Sequence, residues 1–110
     1  MTGPLMNGQS TPAEFGAWLP ACEEYFRDYS EGYFDEGGQM WYIRKRKGVE
    51  IAPQRSALII GDAGVDGVDF CFRVGMMGVW AYYPYEAEHR RLAPSVRQFL
   101  DEWLSGSITV

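Results

Sequence analysis

The chain is short of the residues that most often carry chemistry. It has one histidine, His89, and two cysteines, Cys22 and Cys71. So few Cys and His side chains cannot build a zinc cluster, and the two thiols lack the CxxC spacing of a redox or metal motif. They are expected to be reduced, buried small hydrophobes in a cytosolic protein, with a bridge between them left open. No G-x-S-x-G elbow occurs. Cys22, Cys71 or Ser95 could stand with His89 in a triad. Ser95, however, is better used as a helix cap, both cysteines sit where core residues are expected, and His89 itself reads as a surface residue. No catalytic residue, metal or cofactor is therefore expected, and the chain is not read as an enzyme.

Long apolar runs are also missing. Nothing approaches the ~20 residues that span a bilayer, and the opening MTGPLMNGQS has no basic or apolar signal region. The expectation is a cytoplasmic protein that does not engage membranes. Positive charge is in deficit, with 10 Lys and Arg against 15 Asp and Glu, a net charge of −5. A polyanion needs a basic surface, which argues against nucleic acid as a direct partner.

What the chain does have is material for a core: 46% hydrophobic and 15% aromatic residues in 110. That is enough for one domain without disulfide or metal staples. Residues 1–10 have little to bury and are expected to form a loose arm, leaving 11–110 as the domain. Thr11-Pro12-Ala13-Glu14 reads as a capping box with proline at the first helical position. Phe15, Trp18, Leu19, Cys22, Phe26, Tyr29 and Tyr33 follow at helical spacing, with a kink expected at Pro20. From Gln39 the pattern changes to short stretches separated by glycine-bearing turns: QMWYIRKR, SALII, VDFCFRV and VWAYYPY. In the third, Val68, Phe70, Phe72 and Val74 alternate with polar residues and are expected to point inward. Gly75-Met76-Met77-Gly78 would join it to an antiparallel neighbour, which Pro84 ends or places at an edge. Ser95-Val96-Arg97-Gln98 is a second capping box. It opens an amphipathic helix with a stripe of Val96, Phe99, Leu100, Trp103 and Leu104, closed by Gly106. The expected architecture is a single α+β domain, with helices packed on a mostly antiparallel twisted sheet and an amphipathic C-terminal helix.

Residues 59–73, IIGDAGVDGVDFCFR, raise the question of an ion or phosphate loop. Asp62, Asp66 and Asp69 lack EF-hand spacing and a following Glu. The glycines lead into a strand, and no Lys follows as in a phosphate loop. Gly61, Gly64 and Gly67 read instead as permissive positions in a hairpin turn. The basic run Arg44-Lys45-Arg46-Lys47 would alternate between strand faces, as at a protected sheet edge. Trp80 and Tyr82 would share one face of their strand and Tyr83 and Tyr85 the other, so one aromatic face could remain available for contacts.

The sequence from Ala57 to Leu104 resembles the SUKH superfamily. The likeness lies in Leu92-Ala93-Pro94-Ser95-Val96 running into a helix with Phe99-Leu100, preceded by a Gly/Asp turn, DFCFR and GVWAYYPY. Leu19-Pro20 and Gly37-Gly38 resemble that family's early Leu-Pro and Gly-Gly positions. The resemblance implies an α+β fold and a protein partner: many bacterial members act as immunity proteins that bind and neutralise cognate toxins, often nucleases. Glu14, Glu23, Glu24, Asp28, Glu31, Asp35 and Glu36 crowd one stretch beside a lone cation, Arg27. A carboxylate-rich inhibitor would steer towards a basic toxin. Glu23, Glu24, Asp28, Glu31, Asp35 and Glu36 are the expected docking residues, with Asp62 or Asp66 at the border. A regulatory scaffold of the same fold is the alternative, followed by a small hydrolase or ligand-binding domain, which would need a deep polar pocket.

Overall fold

The computed structural model describes residues 11–110; the expected loose arm lies outside them. A 3-10 helix, Ala13–Trp18, and a π-helical turn, Tyr25–Tyr29, precede a two-stranded hairpin of β1, Tyr33–Asp35, and β2, Met40–Ile43. An antiparallel five-stranded meander follows: β3, Glu50–Ile51; β4, Leu58–Asp62; β5, Asp69–Arg73; β6, Met76–Tyr83; and β7, Glu88–Ala93. The helix α1, Val96–Ser105, closes an α+β domain that is mostly sheet.

Alternation along the strands sorts the core into two unequal parts. Leu58, Ile60, Phe70, Phe72, Val79 and Ala81 point to one face and pack with Trp18, Tyr25, Phe26, Val96 and Phe99. Ile59 and Cys71 point the other way, into a small cluster with Ala52 and Ala57. Phe70 pins α1 to the sheet, its ring 4.5 Å from Phe99 and 5.0 Å from Trp103, both edge-on. Edge-to-face pairs of this kind add about 0.5–1.5 kcal/mol each to the gain from burial. The α1 start follows its sequence signals: the Gln98 N–H donates to Ser95 Oγ at 3.1 Å, and Gly106 takes the left-handed conformation, φ 81°. The reciprocal half of the capping box is not made, because the Gln98 side chain donates to Glu102 instead.

The N-terminal region departs from the expected kinked helix. Phe15, Trp18, Cys22 and Phe26 are buried as their spacing implies, but Leu19 is exposed and Tyr33 belongs to β1. Pro20 supplies no backbone donor, so the first helical segment ends before it. Gly32 turns the chain at φ 81°, where a Cβ would come within 2.7 Å of the Ile43 carbonyl oxygen. The first capping box does not form either: Pro12 stands at the cap position without a side-chain bond.

Three further differences concern the sheet. β2 stops at Ile43, and Arg46–Gly48 form a 3-10 turn, so the basic run does not alternate along a strand. The β5–β6 link is tighter than expected. Arg73 pairs with Met76, leaving Val74 exposed in the turn beside Gly75 at φ 74°. The EHRRLA segment, which contains His89, is the edge strand β7. By contrast, 59–73 is the expected hairpin, with Gly64, Asp66 and Gly67 at positive φ in its turn. β6 ends at Tyr83, immediately before Pro84.

Candidate functional site

The eight carboxylates expected to dock a partner divide into internal and external groups. Glu24 reaches α1 across 72 residues of sequence: Oε1 accepts the Val96 N–H at 2.7 Å and Oε2 the Arg97 N–H at 3.1 Å. With Ser95 Oγ on the Gln98 N–H, the leading donors of the helix are satisfied and a negative charge sits at its positive end. Glu24 thus ties the N-terminal helical segment to α1. Glu24→Gln removes that charge and one of the two acceptors. It should lower unfolding stability by about 1–2 kcal/mol, read from the urea midpoint at unchanged slope.

Asp35 accepts the Gly38 N–H at 2.7 Å and shapes the β1–β2 turn. Asp62 is bound by Arg44, Oδ1 to Nη2 at 2.9 Å and Oδ2 to Nε at 3.2 Å. Asp28 pairs with its neighbour Arg27 on the surface at 2.9 Å. Glu23, Glu31, Glu36 and Asp66 are exposed and accept no side-chain hydrogen bond from a described residue. Glu23 borders a groove of about 290 Å³ with Pro20, Arg27, Phe72 and Met77. Glu31 lies on another groove, beside Lys45 and Lys47, and Asp66 on a third, beside Tyr85. The acidic Glu23–Glu36 stretch thus borders several grooves, Glu23 one, Glu31 a second and Asp35 a third, while Asp62 and Asp66 open onto others.

Arg44 was read only as part of a basic run, yet it joins more elements than any predicted site residue. Its backbone N–H donates to the Ile60 oxygen at 2.6 Å, and its own carbonyl accepts the Tyr25 hydroxyl at 2.6 Å. Nη1 donates to Glu50 at 2.7 Å and to the Gly48 oxygen at 3.1 Å, while the other guanidinium nitrogens hold Asp62. Burial alone would lower its pKa, but the bonds to Asp62 and Glu50 outweigh it and hold the guanidinium firmly charged. Asp69 stands opposite Asp62 across the β4–β5 ladder. Burial, and then the shared hydrogen bond and repulsion with Asp62, push its carboxyl up to about 6. An open groove of about 740 Å³ runs past this cluster, lined by Trp41, Lys45, Lys47 and Val49 as well.

Both cysteines are free and buried in different clusters. Burial raises the Cys22 thiol and pushes Cys71 up to about 12, which holds both as thiols at neutral pH. His89 is half-buried rather than a surface residue. It stacks on Tyr82 at 5.0 Å, with Nε2 enclosed and unpartnered. Burial, and then Arg73, lower its pKa. β6 separates His89 on β7 from Cys71 on β5, so the two do not meet. Among the described residues no group of three or more His, Cys, Asp or Glu could hold a metal ion. No helix among them is long and apolar enough to cross a membrane. Comparison with protein-family models, with curated proteins and with solved structures gives no match.

Proposed function

We propose that the chain is a protein-binding module that acts as an immunity protein, docking on a basic bacterial toxin and blocking it. The observation that supports this reading is the exposure of Glu23, Asp28, Glu31 and Glu36 in one acidic stretch, whose backbone is tied down by the internal bonds of Glu24 and Asp35. Such a concentration of negative charge steers a cationic partner from a distance. Beside Glu23 the groove with Met77, itself 52% exposed, offers an adaptable apolar contact. The resemblance of Ala57 to Leu104 to the SUKH superfamily supplies the class of partner.

The test uses the toxin domain encoded next to the gene, if the neighbouring reading frame carries one. Association is followed at low and high salt for the wild type and for the Glu23→Lys, Asp28→Lys, Glu31→Lys triple variant. The variant should associate about tenfold more slowly or worse at low salt, with the difference narrowing as salt rises. Equal rates would remove Glu23, Asp28 and Glu31 from the interface. A regulatory scaffold would bind a partner that is no toxin and is encoded elsewhere.

A further inference from the structure

The five-stranded sheet has one face covered by α1 and the N-terminal helical segments. On the opposite face the Ala52–Ala57 segment covers only part, packing on Ile59 and Cys71. Half-buried Trp80 and Tyr82 pack against this cluster, and the register lays out an ordered row from there. Cys71 stands opposite Trp80 and Trp80 opposite Arg91; one step along β6, Tyr82 stands opposite His89. The Arg73 guanidinium lies over the Trp80 ring, 4.9 Å from its centre. The indole N–H donates to the Met77 oxygen at 3.2 Å, which fixes the ring's orientation. Trp80 is thus an indole with an arginine on the strand to either side, flanked by the Tyr82–His89 stack.

Two cations, Arg73 and Arg91, stand together on this face beside Trp80. Carboxylates outnumber Lys and Arg by 15 to 10, yet neither Arg73 nor Arg91 forms an ion pair with a described residue. On the same face of β5, Asp69 stands opposite Tyr82 on one side and Asp62 on the other, and it interacts with Asp62. Arginine, tryptophan and tyrosine are the residues that most often anchor interfaces, and a guanidinium matches a carboxylate two bonds at a time.

We infer that the open sheet face around Arg73, Trp80 and Arg91 is a second docking surface, and that it takes an extended acidic segment of a partner protein. Its sign is opposite to that of the acidic Glu23–Glu36 stretch, so a partner of opposite charge would be taken here. A nucleic acid fits less well: it would bring a dense row of phosphates to a chain of net charge −5, where a peptide presents a few carboxylates and aromatic rings of its own.

A fluorescein-labelled peptide of alternating Glu and Phe serves as the probe, followed by anisotropy at low and raised salt. Saturable binding is expected, weakened about tenfold in the Arg73→Gln, Arg91→Gln double variant. Arg73→Gln also removes the contact with the Trp80 ring, so the double variant's melting temperature should fall by a few degrees. Arg91→Gln alone leaves that contact in place, should melt with the wild type, and should still weaken probe binding measurably. Undiminished binding in the double variant would overturn the assignment. So would tighter binding of a single-stranded oligonucleotide that the same substitutions abolish, or a sedimentation result showing that the face is already covered in a dimer of this chain.

Discussion

Gly61→Ala should leave the protein unfolded, or melting far below wild type, although Gly61 lies inside a strand and has no positive φ. β2 crosses β4 at this point. The Arg44 N–H bonds to the Ile60 oxygen, and a Cβ on residue 61 would overlap the Tyr42 carbonyl oxygen. That obstacle is backbone on a neighbouring strand, so no rotamer change can relieve it and the two-stranded hairpin must move off the sheet. The cost is expected above about 3 kcal/mol, at the upper end of overpacking penalties. In a domain of this size that lowers the melting temperature by roughly 12 °C or more. Two other glycines separate crowding from backbone conformation. Gly106 has open space but φ 81°, so Gly106→Ala should cost about 1–2 kcal/mol. Gly16 has neither constraint, and Gly16→Ala should lie within about 0.5 kcal/mol of wild type or slightly above it. Thermal melts that rank Gly61→Ala no worse than Gly106→Ala would show that β2 does not lie against β4 as described.

The same glycine marks where sequence reasoning stops. Gly61, Gly64 and Gly67 look alike in the chain, and for the last two the turn reading holds, with φ of 84° and 68°. Gly61 is required by a strand that pairs elsewhere, and its sequence neighbours say nothing about that crossing. Local signals performed well wherever the cause was local: Ser95 and Gly106 bound α1, and period-two alternation separated Phe70 and Phe72 from Cys71. The stripe from Phe15 to Phe26 marked buried residues correctly except at Leu19. Helical spacing, however, is met as well by two short segments broken at Pro20 as by one kinked helix. β7 escaped because EHRRLA has apolar residues only at its end, as an edge strand can. The candidate site shows the same division. Alternation placed Trp80 and Tyr82 together on the sheet's second face. That Glu24 caps a helix 72 residues away, and that Arg44 closes on Asp62, are long-range pairings with no trace in composition or spacing.

Arg44→Met should be the second severe substitution, and its penalty should depend on pH. The arginine is the only cation bonded to Asp62 and Glu50 among the described residues, and Asp69 stands next to Asp62. Removing it leaves three carboxylates together at the margin of the sheet and frees the Gly48 carbonyl. Breaking a fully buried pair costs ~3–5 kcal/mol. The Asp62 side chain is 37% exposed, so solvent screening reduces the expectation to about 2–3 kcal/mol at pH 7.5. Arg44→Lys keeps the charge but cannot grip Asp62 with two nitrogens, and should fall between the variant and wild type. The Asp69 carboxyl, raised to about 6 in the fold from an ordinary value near 3.8, sets the pH window. Between those values the folded state binds more protons than the unfolded one, so the contribution of this group is full below about pH 4 and is lost as pH rises through 6. Asp69→Asn abolishes that loss and should raise stability at pH 7.5 relative to pH 4.5. The Arg44→Met penalty should likewise shrink as pH falls and Asp69 takes up its proton. Urea unfolding of both variants at the two pH values decides the matter. A penalty for Arg44→Met that is equal at both would mean that Arg44 works through packing and its bond to Gly48, and that the carboxylates around it contribute nothing.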